Sequence, residues 1–102
     1  MVDVLQNKRA VIAQACIRFD VARLDVFGSA LRDDFRPGES DLDLLVEFGL
    51  MDPPDLVDAY FGLLDELRVV LAVDIDLVMV DAIKNRFIAA NVERTRQVLY
   101  AV

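Results

Sequence analysis

The chain contains no histidine, no tryptophan and a single cysteine, Cys16. Without histidine, Ser-His-Asp and Cys-His catalysis and His-rich metal sites are excluded. Cys16 has no partner for an internal disulfide, and its place among apolar helical positions predicts a core residue. If the protein binds metal ions, carboxylates must therefore supply the ligands.

Basic residues are few relative to acidic ones: 11 Lys and Arg against 18 Asp and Glu give a net charge of −7. An acidic surface repels the phosphate backbone, so we expect no broad binding of DNA or RNA. Binding of a nucleotide through metal ions stays open, because bound cations reverse the local sign of the charge.

Long apolar runs are also missing. No stretch reaches the roughly 18–20 apolar residues of a membrane span, and no long apolar run follows the basic N-terminal residues, so we expect a cytoplasmic protein without a signal peptide. The length of 102 residues predicts one domain over residues 1–102. The apolar content of 56% is high, which fits either a tightly packed core or a contact surface for another protein.

Apolar periodicity predicts alternating helices and strands. Apolar residues three and four positions apart predict a helix over residues 3–19, with Asp3 as its N-cap, and a second from the N-cap candidate Asp52 to about Leu71. The residues expected to face inward in the second helix are Leu56, Tyr60, Phe61, Leu64, Leu67 and Leu71. Apolar and β-branched runs predict strands over residues 21–27, 42–48 and 74–80.

The C-terminal part has more than one interpretation. Asp81 is a candidate N-cap for a helix that ends near Ala90, and residues 92–102 fit either a continued helix or a short strand over 97–100. The order of elements predicts an α/β (α+β) fold, with helices packed on one face of a small mixed β-sheet. The opposite face of the sheet is partly acidic, and there we expect the function.

Two pairs of aspartates alternate along separate predicted strands. Asp41 and Asp43 leave one face of the second strand, and Asp74 and Asp76 leave one face of the third. If these strands are neighbours, the carboxylates converge and repel one another, and a divalent cation such as Mg²⁺ is the natural counter-charge. The alternative is an exposed strand face in water; apolar residues on the same face, such as Leu45, favour the metal site.

A Gly-Ser pair ends the first predicted strand. Gly28 permits a tight turn and the close approach of a phosphate group. Ser29 can cap a short helical turn, and backbone N–H groups at a helix N-terminus bind phosphate oxygens. Arg32 either contacts the phosphates or pairs at the surface with Asp33 or Asp34.

Together these segments resemble the polymerase-beta-like nucleotidyltransferase superfamily, and most closely its minimal nucleotidyltransferase (MNT) domains, from about Leu24 to Tyr100. The matching segments are FGSALR at 27–32, SDLDLLV at 40–46 and VDIDLV at 73–78. The resemblance implies a polymerase-beta-like fold with three catalytic carboxylates that hold two Mg²⁺ ions, namely Asp41, Asp43 and Asp76. It also implies a nucleotide-binding set, namely Gly28, Ser29, Arg32 and Ser40.

MNT domains are often the antitoxin half of a pair whose toxin is a HEPN-domain ribonuclease. The resemblance implies a transfer of AMP from ATP to a toxin tyrosine, with the toxin as the protein partner and the homo- or hetero-oligomeric state open. One alternative is a non-catalytic antitoxin that inhibits by stoichiometric binding. Another is a transferase for RNA or a small molecule, for which Arg86, Arg94 and Arg96 would form a basic patch rather than a solvated helix face.

Overall fold

The computed structural model describes residues 7–27, 42–80 and 96–102. Over these residues the chain forms two helices and four strands, which confirms the predicted α/β class. The elements are α1 (Arg9–Arg18), β1 (Val21–Phe27), β2 (Leu42–Phe48), α2 (Pro53–Leu71), β3 (Ile75–Met79) and β4 (Gln97–Ala101). Asp3 and the helix predicted from Asp81 to about Ala90 lie outside the described residues.

The four strands form one mixed sheet in the order β3-β2-β1-β4. β1 pairs antiparallel with β2 and with β4, whereas β2 pairs parallel with β3. β4 shows that the strand interpretation of residues 97–100 is correct. Pairing with β1 decides this, because a short apolar run gains its strand geometry from its neighbour rather than from its own sequence.

The core lies between one face of the sheet and the two helices. Leu24 and Val26 of β1 and Leu44 and Val46 of β2 are fully buried on this face. They pack with fully buried helix residues, namely Ile12 and Cys16 of α1 and Leu63 and Leu67 of α2. The burial of each such aliphatic side chain contributes about 1.5–3 kcal/mol.

Cys16 lies in this core, as predicted. Burial disfavours the charged thiolate and raises the pKa of the Cys16 thiol to about 12.

α2 begins where its local sequence predicts. Asp52 is the N-cap in extended conformation with Pro53 directly after it, although the Asp52 side chain makes no capping hydrogen bond. The helix ends at Leu71, and the C-cap residue Ala72 adopts a left-handed conformation with φ 56°. Gly62 permits the close approach to α1, because a Cβ atom there would lie 2.5 Å from Cε1 of Phe19.

The prediction that Phe61 faces inward is wrong, because its side chain is 57% exposed. Successive helix residues are about 100° apart, so the neighbours Tyr60 and Phe61 cannot share one direction. The buried face of α2 is centred near Leu63 and Leu67, and Phe61 lies well outside it. Neither of the described helices has the length and apolar character that a membrane span needs.

Candidate active site

Asp43 and Asp76 lie side by side on neighbouring strands. In the parallel pairing of β2 with β3, Asp43 is directly opposite Asp76, and the flanking pairs are Leu42 with Ile75 and Leu44 with Leu77. Adjacent strands are about 4.8 Å apart. The two carboxylates therefore leave the same face at the same level, which confirms the expectation that the acidic strands are neighbours.

Local hydrogen bonds fix this register. The backbone N–H of Leu42 donates to the carbonyl oxygen of Asp74 at 2.8 Å, just before the two carboxylates. On the helix side, the Tyr60 hydroxyl donates to the carbonyl oxygen of Leu77 at 2.6 Å and ties α2 to β3. These two hydrogen bonds hold β3 on either side of Asp76. They oppose a one-residue slip of the strand, which would move Asp76 to the face that the helices cover.

β1 ends beside the same carboxylates. Phe27, its last residue, is the antiparallel partner of Asp43. Gly28 and Ser29 follow Phe27 directly in the sequence. β1 therefore ends beside Asp43, directly before the Gly-Ser pair in the sequence.

The oxygen donors present here suit Mg²⁺. Asp43 is half-buried and Asp76 is exposed, so each can offer carboxylate oxygens to a cation that also binds solvent or phosphate. Without a cation, two like charges at neighbouring sheet positions are destabilising. Within the described ranges no group of three acidic or other metal-binding side chains assembles.

The other predicted site residues fall in a segment that the structure does not describe. These are Asp41 in the carboxylate set and Gly28, Ser29, Arg32 and Ser40 in the nucleotide-binding set. Their roles stay predictions.

Asp25 is a charged residue of this face that the sequence interpretation missed. It is the antiparallel partner of Leu45, two residues before Phe27, and its side chain is only 1% exposed. Its oxygens accept hydrogen bonds from Nε of Arg23 at 3.0 and 3.1 Å. Nε of Arg96 lies 3.2 Å from its Oδ2 atom. The sequence did carry a signal for this residue: the charged Arg23 and Asp25 alternate along β1 with the apolar Leu24 and Val26, which predicts that the two charged side chains share one face.

Arg96 has neither of the roles expected from the sequence. It lies next to β4 rather than on a solvated helix face, and its side chain is only 17% exposed in the ion pair with Asp25. A buried carboxylate is tolerated only with such compensation. The pair therefore links β1 to the start of β4, and Arg96 is committed to Asp25 rather than to a basic patch. Arg86 and Arg94 lie outside the described residues.

Known proteins resemble almost the whole chain. A family model described as the nucleotidyltransferase domain matches residues 9–99. A protein of Methanocaldococcus jannaschii, provisionally named a protein adenylyltransferase, is 33% identical over 91 residues, which cover 89% of this chain and 86% of the relative.

Solved structures share the fold. One provisionally described as a minimal nucleotidyltransferase matches with a TM-score of 0.76 and 28% identity over 94% of this chain and 95% of its own. A chain of the complex between a tri-AMPylated Shewanella oneidensis HEPN toxin and its MNT antitoxin matches with a TM-score of 0.63 and 19% identity, over 96% of this chain and 73% of that chain. At this lower identity the likeness concerns the fold alone.

These matches confirm the predicted resemblance and the predicted class of enzyme. The matched region includes β1, β2 and β3, the three strands that meet at Asp43. The carboxylate pair thus lies inside the matched region, on the sheet that the solved structures share. By its sequence and by its sheet, this chain belongs to the nucleotidyltransferase domain family.

Proposed function

We propose that this protein is a cytoplasmic antitoxin that transfers AMP from ATP to a tyrosine of a partner HEPN-domain ribonuclease, in a Mg²⁺-dependent reaction. The observation that carries the proposal is the register of Asp43 opposite Asp76 at the end of β1. Support for AMP and for a protein acceptor comes from the relative named as an adenylyltransferase and from the antitoxin bound to an AMPylated toxin.

In this proposal one set of residues binds the metal ions and another binds the nucleotide. Asp41, Asp43 and Asp76 would hold the metal ions, and Gly28 and Ser29 would bind the triphosphate, next to Arg32 and Ser40. When bound, Mg²⁺ neutralises phosphate charge and stabilises the attacking and leaving oxygens of the transfer. Most of the catalytic effect then comes from positioning and electrostatic stabilisation.

The reaction is a substitution at the α-phosphorus of ATP. The tyrosine oxygen forms a bond to this phosphorus, and the bond from the phosphorus to the bridging oxygen breaks. Pyrophosphate leaves with that electron pair, and the Asp76 carboxylate accepts the phenolic proton. The product is a tyrosine joined to AMP through a phosphodiester.

The modification would silence the toxin by electrostatics and size. The phosphodiester adds negative charge where the ribonuclease must bind the negatively charged RNA backbone. The adenosine adds bulk at the same place, so RNA binding is opposed twice.

The test is a transfer assay with labelled ATP, Mg²⁺ and the HEPN-domain protein encoded beside this gene. We expect label on the partner with the wild-type chain and at least about 100-fold less with Asp43→Asn, as for the loss of other charge-stabilising groups. Asp20→Asn is the matched control, because Asp20 is exposed just before β1, at the opposite end of that strand from Phe27. It should label the partner at nearly the wild-type rate.

Stoichiometric inhibition is the outcome that would contradict transfer. In that case the double variant Asp41→Ala/Asp43→Ala would still protect cells from the toxin at normal expression. The partner would also be silenced in vitro without acquiring label. Loss of protection together with loss of label supports the proposed reaction.

A further inference from the structure

One side of α2 is apolar although it faces solvent. The side chains of Val57 and Phe61, one helical turn apart, are 55% and 57% exposed. Single exposed apolar residues are common on protein surfaces, but adjoining large ones indicate a contact surface.

These residues form one wall of a groove between α2 and the end of β3. Its cavity of about 190 Å³ is lined by Leu56, Val57, Tyr60, Phe61 and Met79. We call this cavity the α2–β3 groove.

The walls of the α2–β3 groove are held in place. The Tyr60 hydroxyl is bonded to the backbone of Leu77, and the Phe61 ring meets the Tyr60 ring edge-on, with 5.1 Å between centroids and 90° between planes. A partner would therefore find preformed walls, which lowers the ordering entropy lost on binding.

The apolar surface continues beyond the groove. A second cavity of about 210 Å³ shares Leu56 and Met79 with it and extends to Leu50 and Val80. Leu50 is fully exposed, in the loop between β2 and α2. The two cavities adjoin at Leu56 and Met79, and the second also contains the acidic side chain of Glu47. An amphipathic protein segment suits such a mixed surface.

The flank of the α2–β3 groove is acidic. Asp58 follows Val57, and Asp65 lies seven residues later on the same side of the helix; both are exposed. Arg68 is the only exposed basic residue on α2 in the part of the chain that the structure describes, and it lies about one turn beyond Asp65. The net charge of the whole chain, −7, has the same sign as this flank.

The negative charge of the flank favours a basic partner protein over a second copy of this chain. In a symmetric dimer each subunit uses the same surface, so the acidic flanks of two copies would be brought into one interface. Like charges placed together across an interface oppose association, whereas opposite charges steer it. A ribonuclease is expected to be basic, because it binds the phosphate backbone of RNA.

We propose that the α2–β3 groove is the docking surface for the acceptor protein, which presents an apolar segment flanked by Lys or Arg side chains. The acceptor is the one named under the proposed function, and the inference rests on that proposal. Met79 lies three residues beyond Asp76 on β3, about 10 Å along the strand, and the two side chains leave opposite faces of the sheet. Because β3 is an edge strand, an acceptor docked in the groove would reach the carboxylates around this edge.

The test compares Phe61→Asp with Val69→Asp, using the HEPN-domain protein encoded beside the gene as the probe. Val69 is a matched control, because it is an exposed apolar residue of the same helix outside the groove lining. For Phe61→Asp we expect a Kd for the partner and a KM in the transfer assay that are raised at least about tenfold, with kcat and Mg²⁺–ATP affinity unchanged. Val69→Asp should stay within about twofold of wild type.

The charge of the flank is tested separately. The double variant Asp58→Lys/Asp65→Lys should slow association with the partner and weaken its salt dependence, with little change in the dissociation rate. Val57→Asp and thermal unfolding of each variant show whether an effect comes from the groove or from misfolding.

Each outcome has one meaning. If Phe61→Asp binds and labels the partner like wild type, or if the wild-type chain does not bind the partner, the docking proposal is overturned. If the wild-type chain forms dimers that Phe61→Asp abolishes, a second copy occupies the groove instead. If the partner binds through Phe61 but receives no label, docking stands and the proposed transfer fails.

Discussion

The two faces of the sheet are built from alternate residues of the same strands, but their physical properties are opposite. On the face toward α1 and α2, Leu42, Leu44 and Val46 are fully buried. On the other face, Asp43 is half-buried beside Asp76. The first face stabilises the fold through apolar burial, whereas the second carries charges that destabilise it unless they are compensated.

This second face contains carboxylates of two kinds. Asp25 is buried and compensated permanently by guanidinium groups of Arg23 and Arg96. Asp43 and Asp76 are more exposed than Asp25, and the proposed Mg²⁺ would compensate their charges. The comparison teaches that acidity alone does not distinguish the carboxylates proposed to be functional from Asp25, whereas exposure and strand register do.

The largest loss of stability is expected from Asp25→Ala. Removing one partner of a buried ion pair leaves a buried charge uncompensated, so the free energy of unfolding should fall by about 3–5 kcal/mol. Most of this comes from the pair with Arg96, since Arg23 is more solvent-exposed and its pair is screened. Urea unfolding measures the change.

Asp58→Ala, at an exposed site on α2, is the control and should change the free energy of unfolding by less than about 0.5 kcal/mol. An equally small change for Asp25→Ala would show that its ion pairs are unimportant.

The next prediction compares substitutions of Asp43 and Leu44, which are consecutive in β2 but lie on opposite faces of the sheet. Leu44→Ala leaves a cavity in the core and should lower the free energy of unfolding by about 2–5 kcal/mol. Asp43→Asn should change it less than Leu44→Ala does, because the amide has nearly the same size as the carboxylate and leaves no cavity in the core. The transfer rate per folded molecule should show the reverse order, with a large loss for Asp43→Asn only. Equal effects of both variants on both quantities would contradict the division between the faces.

The smallest effect concerns Cys16 on the helix-covered face. Its folded pKa of about 12 lies above that of an unfolded thiol, about 8.5–9, so the native state retains the proton at alkaline pH. Its stabilising contribution is fully present below about pH 8.5 and is lost as the pH rises toward 12. Between pH 8 and pH 10 the loss should be about 1.4 kcal/mol. Urea unfolding of wild type and Cys16→Ala at both values isolates this part, and parallel pH dependences would contradict it.

The sequence was sufficient where a structural signal is local. Alternation along β2 and β3 predicted which face Asp43 and Asp76 occupy, because the side-chain period of a strand follows from its backbone. The bounds of β1 and β2 agree with the prediction, since each is a short apolar run that ends at a Gly. The roles of Gly28, Ser29 and the other residues of the undescribed segment still rest on the resemblance.

Where partners are distant in sequence, the prediction failed. The ion pair between Asp25 and Arg96 joins residues 71 positions apart, and no local pattern specifies that meeting. The inward orientation of Phe61 was wrong because periodicity shows an apolar stripe but not how much of it neighbouring elements cover. β4 stayed ambiguous for the same reason, since its pairing with β1 is long-range.

The central claim is that Asp43 and Asp76 act as one cation and nucleotide site. Calorimetric titration of Mg²⁺–ATP into wild type, Asp43→Asn, Asp76→Asn and the double variant tests it most directly. If the two carboxylates share a site, each single variant should lose most of the affinity, and the double variant should lose little more. Unchanged affinity in all three variants, or losses that simply add, would contradict the claim.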